Sequence, residues 1–128
     1  YETGDDRLFI PRGDTVERDP FRDDLSMVVE GSDGLTLILG CCHSGLINTL
    51  DHVCDRLPGK PIHTVIGGTH LGFAPVEQLR QTIATLRDRR VRRLGLSHCT
   101  GLEAGAKLAG EFGDAVAFCN VGYSLTLE

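Results

Sequence analysis

Two periodicities divide the chain. From Leu25 onward, short apolar runs alternate with longer segments in which apolar side chains return every third or fourth position. The first pattern suits β-strands and the second amphipathic helices. Ser26–Glu30 and Leu35–Leu39 read as strands, and Gly31-Ser32-Asp33-Gly34 between them is turn chemistry, so a hairpin is expected. A helix fits Gly45–Leu57, with Leu46, Leu50, Val53 and Leu57 on one stripe, and Pro58-Gly59 ends it. Ile62–Ile66 is a short buried strand. Pro75 opens a second helix whose stripe is Val76, Leu79, Ile83 and Leu86. Leu94–Leu96 forms the next strand, Leu102–Phe112 a helix rich in small residues, and Ala115–Phe118 a last internal strand. Leu125–Leu127 offers a further edge strand. Residues 1–24 are polar and Asp-rich, contain Pro11 and Pro20, and read as an irregular arm.

A hairpin followed by three strand–helix units predicts an α/β fold with a mostly parallel sheet. Met27, Val29, Leu35, Leu37 and Leu39 alternate with Leu25, Val28 and Ile38, so both faces of the hairpin are apolar. Such a sheet needs cover on both sides. Parallel strands in these units also share one functional end, their carboxyl edge.

The chemistry-bearing residues recur at that edge. The three strand–helix loops read "GCCHSG" (40–45), "GGTHLG" (67–72) and "SHCTG" (97–101). They bring Cys41, Cys42, His43, His70, His98, Cys99 and Thr100 into equivalent positions. Imidazole and thiolate are ligands for zinc and iron, and catalytic sites commonly keep an open position beside about three protein ligands. The glycines let backbone approach a ligand closely. Each loop also precedes a helix, whose free N–H groups attract an anion such as phosphate.

Other residues carry less. His52 and His63 read as structural, Cys42, Cys54 and Cys119 as core packers, and Thr100 also suits a helix cap. The run "RDRRVRR" (87–93) reads as a solvated helix C-terminus, where cations meet the negative end of the dipole. The net charge of -5 argues against a nucleic-acid partner, and no apolar stretch is long enough for a membrane span. Five cysteines, an odd number without a secreted disulfide spacing, fit reduced thiols and a cytoplasmic location. No disulfide is expected among them.

The segments "DPFRDDLSMVVEGSDGLTLILGCCHSGLINTL", "IGGTHL" and "SHCTG" resemble the C-terminal half of one branch of the metallo-β-lactamase-fold superfamily. That branch comprises dihydropterin–ribofuranosylaminobenzene 5′-phosphate synthase-like proteins, or metal-dependent hydrolases of the β-lactamase superfamily II. The resemblance implies half of an αββα sandwich, with a dinuclear metal site between two similar halves. The first half of that fold carries His-x-His-x-Asp-His, and no His-x-His occurs here. Residues 25–128 are therefore expected to be the C-terminal half-domain. The chain opens on Tyr1 and is expected to be a fragment whose partner is the N-terminal half, in the same polypeptide or a second chain.

The resemblance also implies a site. "SHCTG" matches the family's last ligand motif, which makes His98 a metal ligand. Cys41 stands where other branches place a bridging Asp, and either Cys41 or His43 faces the metal. His70 is a ligand or a substrate contact. Cys99, Thr100 and Asp24 would face substrate or support the ligands. The expected function is part of a metal-dependent enzyme acting on a phosphorylated small molecule, as hydrolase or synthase. It would use a divalent metal: zinc first, with manganese or iron as substitutes, and two ions in the complete fold. No residue is singled out as the general base. Two alternatives stand beside this: a degenerate metal-binding or structural half-module without turnover, and a thiol enzyme using Cys41 or Cys99 with His43 or His98 as base.

Overall fold

The computed structural model describes residues 2–127. Its centre is a five-stranded sheet in the order β3-β4-β5-β6-β7. The strands are β3 (Ser26–Gly31), β4 (Gly34–Leu39), β5 (Ile62–Gly68), β6 (Arg93–Ser97) and β7 (Val116–Phe118). β3 and β4 form the expected antiparallel hairpin, and β4 through β7 are parallel. The connecting helices are α1 (Leu46–Arg56), α2 (Val76–Asp88) and α3 (Leu102–Phe112). Each strand lies beside the one before it, so every crossover steps the same way. With right-handed crossovers, all three helices fall on one face.

The register assigns side chains to faces. Val28, Leu37, Val65, Leu94 and Val116 lie in one row across the sheet. They pack with Leu46, Leu50, Leu86, Ala104 and Leu108 of the helices into a single core. The adjacent row is Met27, Ile38, Ile66, Gly95 and Ala117, which faces away from the helices. The last residues of the chain lie along this second face: Tyr123, Leu125 and Leu127 line a shallow depression with Thr36, Ile38 and Ile66. Leu125–Leu127 is therefore no strand. It lies over the sheet instead of adding to its edge.

The first 24 residues also depart from expectation. β1 (Phe9–Arg12) and β2 (Thr15–Arg18) pair antiparallel around Gly13, a turn glycine at φ 60°. A Pro in this short two-stranded ribbon is tolerated because both strands are edges. Glu2 ties the arm to the domain. Its carboxylate accepts the Asn48 backbone N–H at 3.0 Å and the Gln78 side-chain amide at 2.7 Å. Asn48 N–H belongs to the first turn of α1, where donors lack intrahelical partners and negative charge is favoured. Gly45 suits this place, since its backbone lies at φ 100° and a Cβ would crowd the Glu2 side chain. Among the described residues, no helix is long and apolar enough to cross a membrane.

Candidate metal centre

Each of the three crossover loops turns on a non-glycine residue with left-handed backbone: Cys42 at φ 58°, His70 at 57° and His98 at 50°. That conformation costs roughly 1–2 kcal/mol per residue and persists only where the surroundings impose it. The surroundings are tight. A Cβ on Gly68 would lie 2.7 Å from the Gly40 carbonyl and 2.8 Å from Cys99 Sγ. Glycine at this position lets the first and third loops close over the end of β5.

Within that junction Cys41, His98 and Cys99 come together. One donor atom from each lies within 4.8 Å of the other two. Ligands of a tetrahedral zinc, bonded at ~2.0–2.3 Å, stand roughly 3.3–3.8 Å apart, so a shift of about an ångström would close the set on one ion. Two sulfurs and an imidazole suit zinc and other borderline-soft metals. His98 is exposed and the two cysteines are half-buried, so the set opens outward along the edge. The Cys99 thiol donates to the Cys41 carbonyl at 3.3 Å and accepts the His70 backbone N–H at 3.2 Å. Burial pushes the Cys99 thiol up to about 11, so without a metal it carries its proton at neutral pH.

His43 and His70 form a second group. Their rings meet edge to face with centroids 4.7 Å apart, and Phe21 and Phe73 flank them. The sequence placed His98, His70 and Cys41 or His43 at one edge. The structure keeps all four there but divides them into Cys41 with His98 and His43 with His70. Cys99, read from sequence as a supporting residue, stands with the donors. Its adjacency to His98 was the available signal, because the tight turn of residues 98–100 presents both side chains to one place.

The supporting residues act through the backbone. Asp24 accepts the Ser44 N–H at 2.9 Å and so holds the first loop. Thr100 caps no helix: the N-cap of α3 is Gly101, and no side chain caps it. Instead its buried hydroxyl receives the Thr69 N–H at 3.2 Å and lies 3.0 Å from the Thr69 hydroxyl, bracing the second loop against the third. Cys42 is buried as expected, with its sulfur 3.4 Å from the Thr49 hydroxyl, and burial raises its thiol to about 12. All five cysteines are free thiols in the structure.

Sequence reasoning missed Asp5. It sits in the arm, yet its side chain is only 6% exposed and its carboxylate bonds His70 Nε2 at 2.7 Å. Arg7 grips the same carboxylate at 2.6 and 2.8 Å, and these bonds, more than the one from His70, hold it well below the usual carboxylate range. The Arg7 guanidinium in turn lies 4.4 Å over the Phe73 ring. Between arm and sheet edge lies a cavity of about 250 Å³, lined in part by Asp5, Arg7, His43, His70 and Phe73.

No family model matches the chain. Over 97 residues it is 29% identical to the 7,8-dihydropterin-6-methyl-4-(β-D-ribofuranosyl)-aminobenzene-5′-phosphate synthase of Methanocaldococcus jannaschii, an alignment that takes in 76% of this chain and 33% of that protein. A crystal structure of a metal-dependent hydrolase of the β-lactamase superfamily superposes with a TM-score of 0.83 at 28% identity, covering 93% of this chain and 46% of the other. The chain thus spans about a third of the one relative and about half of the other. The sequence resemblance is met in both comparisons, and the chain has the fold of one half of a metallo-β-lactamase-superfamily protein.

Proposed function

We propose that this chain supplies one half of a metalloenzyme that acts on a phosphorylated small molecule, with a complementary half of the same fold facing it. The observation that carries the reading is the meeting of Cys41, His98 and Cys99 donor atoms within 4.8 Å at the carboxyl edge of a parallel sheet. In this reading Cys41 and His98 hold a divalent ion, zinc first, Cys99 completes the protein donors on this side, and His43 and His70 offer imidazoles beside it. A bound ion of this kind polarises a phosphoryl or carbonyl oxygen and lowers the pKa of a bound water. The chain's own residues fix the donors: Thr100 braces the loops, Asp24 holds Ser44, and Arg7 brings a cation to the cavity where a phosphate would be received.

The names of the relatives favour this chemistry, since one is the synthase of a compound that carries a 5′-phosphate and the other a metal-dependent hydrolase. The second face of the sheet, apolar at Met27, Ile38 and Ile66, suits a packing partner. The thiol-enzyme alternative is disfavoured at Cys99, whose thiol stays protonated near neutral pH.

The test is zinc binding by the 128-residue chain, read by competition with a chelator. Cys41→Ser and His98→Ala should each weaken binding at least tenfold without unfolding the sheet. Unchanged affinity in both variants overturns the reading. Turnover of phosphate esters, assayed with and without a complementary half, then separates an enzyme from a metal-binding module without activity.

A further inference from the structure

The His70 residue is held from two sides, at its backbone and at its ring. Its backbone adopts the left-handed region at φ 57°, its amide is pinned to Cys99 Sγ, and its Nε2 is bound to a carboxylate carried by a separate segment of chain. An ionised carboxylate only accepts, so the Nε2 atom carries the hydrogen. Arg7 pairs with the same carboxylate through two N–H donors at 2.8 and 2.6 Å, which fixes this direction. The other ring nitrogen, Nδ1, is buried and has no hydrogen-bond partner. A buried nitrogen left this way is costly, and a native structure that retains one usually assigns it a role.

A carboxylate that accepts one imidazole N–H and leaves the second nitrogen as a lone pair is how proteins orient histidines toward metals. Here the His70 ring lies beside a second imidazole, His43, with ring centroids 4.7 Å apart, and both residues line the cavity enclosed by the arm. The Cys41, His98 and Cys99 set is one hydrogen bond away, through the contact of His70 N–H with Cys99 Sγ.

We infer that Asp5 is a positioning residue: it locks His70 as the Nε2–H tautomer so that Nδ1, together with His43, donates to a borderline divalent cation such as zinc. This rests on the proposed reading of the edge as a metal site and adds the arm to it. The arm closes the cavity and also sets the donor atom of the second loop. Arg7 makes that setting firm, because its bidentate grip keeps the Asp5 carboxylate correctly turned. A histidine without this partner would distribute its proton over both nitrogens and lose donor strength.

The experiment is long-range ¹H–¹⁵N NMR of the histidine rings in the metal-free 128-residue chain, followed by zinc titration. In the unmodified chain His70 should show a protonated Nε2 and an unprotonated Nδ1, and added zinc should move the Nδ1 resonance. Asp5→Ala should mix the tautomers and weaken zinc binding roughly 10–100-fold. Amide resonances of the five-stranded sheet should stay in place, which separates lost positioning from lost folding. If Asp5→Ala perturbs the sheet, Asp5→Asn replaces it; it preserves the size of the side chain and should lose affinity to a smaller degree. A His70 protonated at Nδ1, or a Nδ1 resonance that zinc leaves unmoved, overturns the inference. The metal-free tautomer is read without zinc, so this inference can fail while Cys41 and His98 still bind metal, and it can survive if they do not.

Discussion

The two faces of the sheet are built from similar residues and meet different fates. On the helix side Leu37 is 0% exposed and sits in a row with Val65 and Leu94, closed over by three helices. One residue earlier or later along the strands, the row of Met27, Ile38 and Ile66 is equally apolar. Yet Met27 is 62% exposed, and Ile38 and Ile66 are half-buried under the chain's own last residues. A helix buries a face by interlocking regular rows of side chains; the tail at 123–127 offers only scattered contacts from Tyr123, Leu125 and Leu127. Composition alone therefore tells which strands are doubly apolar, and topology decides which side is sealed. The proposed second layer would lie on the open side; the chain spans only about half of one relative and a third of the other.

Substitutions would break this contrast if it is misjudged. The largest effect is expected at Leu37→Ala, which should lose about 2–5 kcal/mol as a cavity opens under α1 and α2, while Met27→Ala stays within about 0.5 kcal/mol. Denaturant midpoints of the two variants check this, and equal losses would mean that the two faces are sealed alike. Next comes the edge where the faces meet. Thr100→Val removes the acceptor of the Thr69 N–H and should cost about 1–3 kcal/mol, read in the same assay.

Thiol chemistry sharpens the comparison further. Cys42 lies in the sealed interior with its thiol raised to about 12, so at pH 8 roughly one molecule in ten thousand carries the reactive thiolate. Cys119 lies on the open side, against the Cα of Gly95, and is half-buried. Burial raises its thiol as well, without sealing it off. Alkylation followed by peptide mass analysis should modify Cys119 at least tenfold faster than Cys42. Both rates should rise with pH, because each pH unit below the thiol's own value multiplies the thiolate tenfold. The smallest effect is expected at Met27→Lys: a stability change within about 0.5 kcal/mol, with reduced binding of a hydrophobic dye to the open face.

Much of this was legible from residue order. The period of the apolar positions located β3 through β7 and all three helices, because each has a face that must be buried. Leu102–Phe112 fell on the observed bounds, and the other elements came within a few residues of theirs. Cys42 and the loops of the carboxyl edge were readable for the same reason: their place follows from the strands before them. The arm was not. Asp-rich sequence with two prolines has no periodicity to announce a hairpin, and β1 and β2 are short, mostly exposed and held by backbone pairing with an Arg12–Glu17 ion pair. Asp5 was invisible because its meaning depends on His70, 65 residues away, through a contact that no local pattern encodes. The division of the four expected donors into two groups was equally hidden. Cys41 and His43 belong to one loop and are parted at Cys42, whose left-handed backbone lies between them.

One feature of the sheet has a consequence for how such a protein can change over time. The strand order never reverses, so the sheet lacks the divergent loops that in doubly wound folds open a ready-made crevice at the carboxyl edge. A pocket at this edge must borrow its walls, and one wall is the arm of residues 2–7, docked by Glu2 and Asp5. The donors are inherited with the sheet, because glycines such as Gly68 leave their loops no alternative path. The wall is a separate strip of chain with few anchor points. Its sequence can drift or shorten without dismantling the sheet, but Asp5 ties it to His70, so a change in this wall reaches that imidazole as well as whatever the cavity admits.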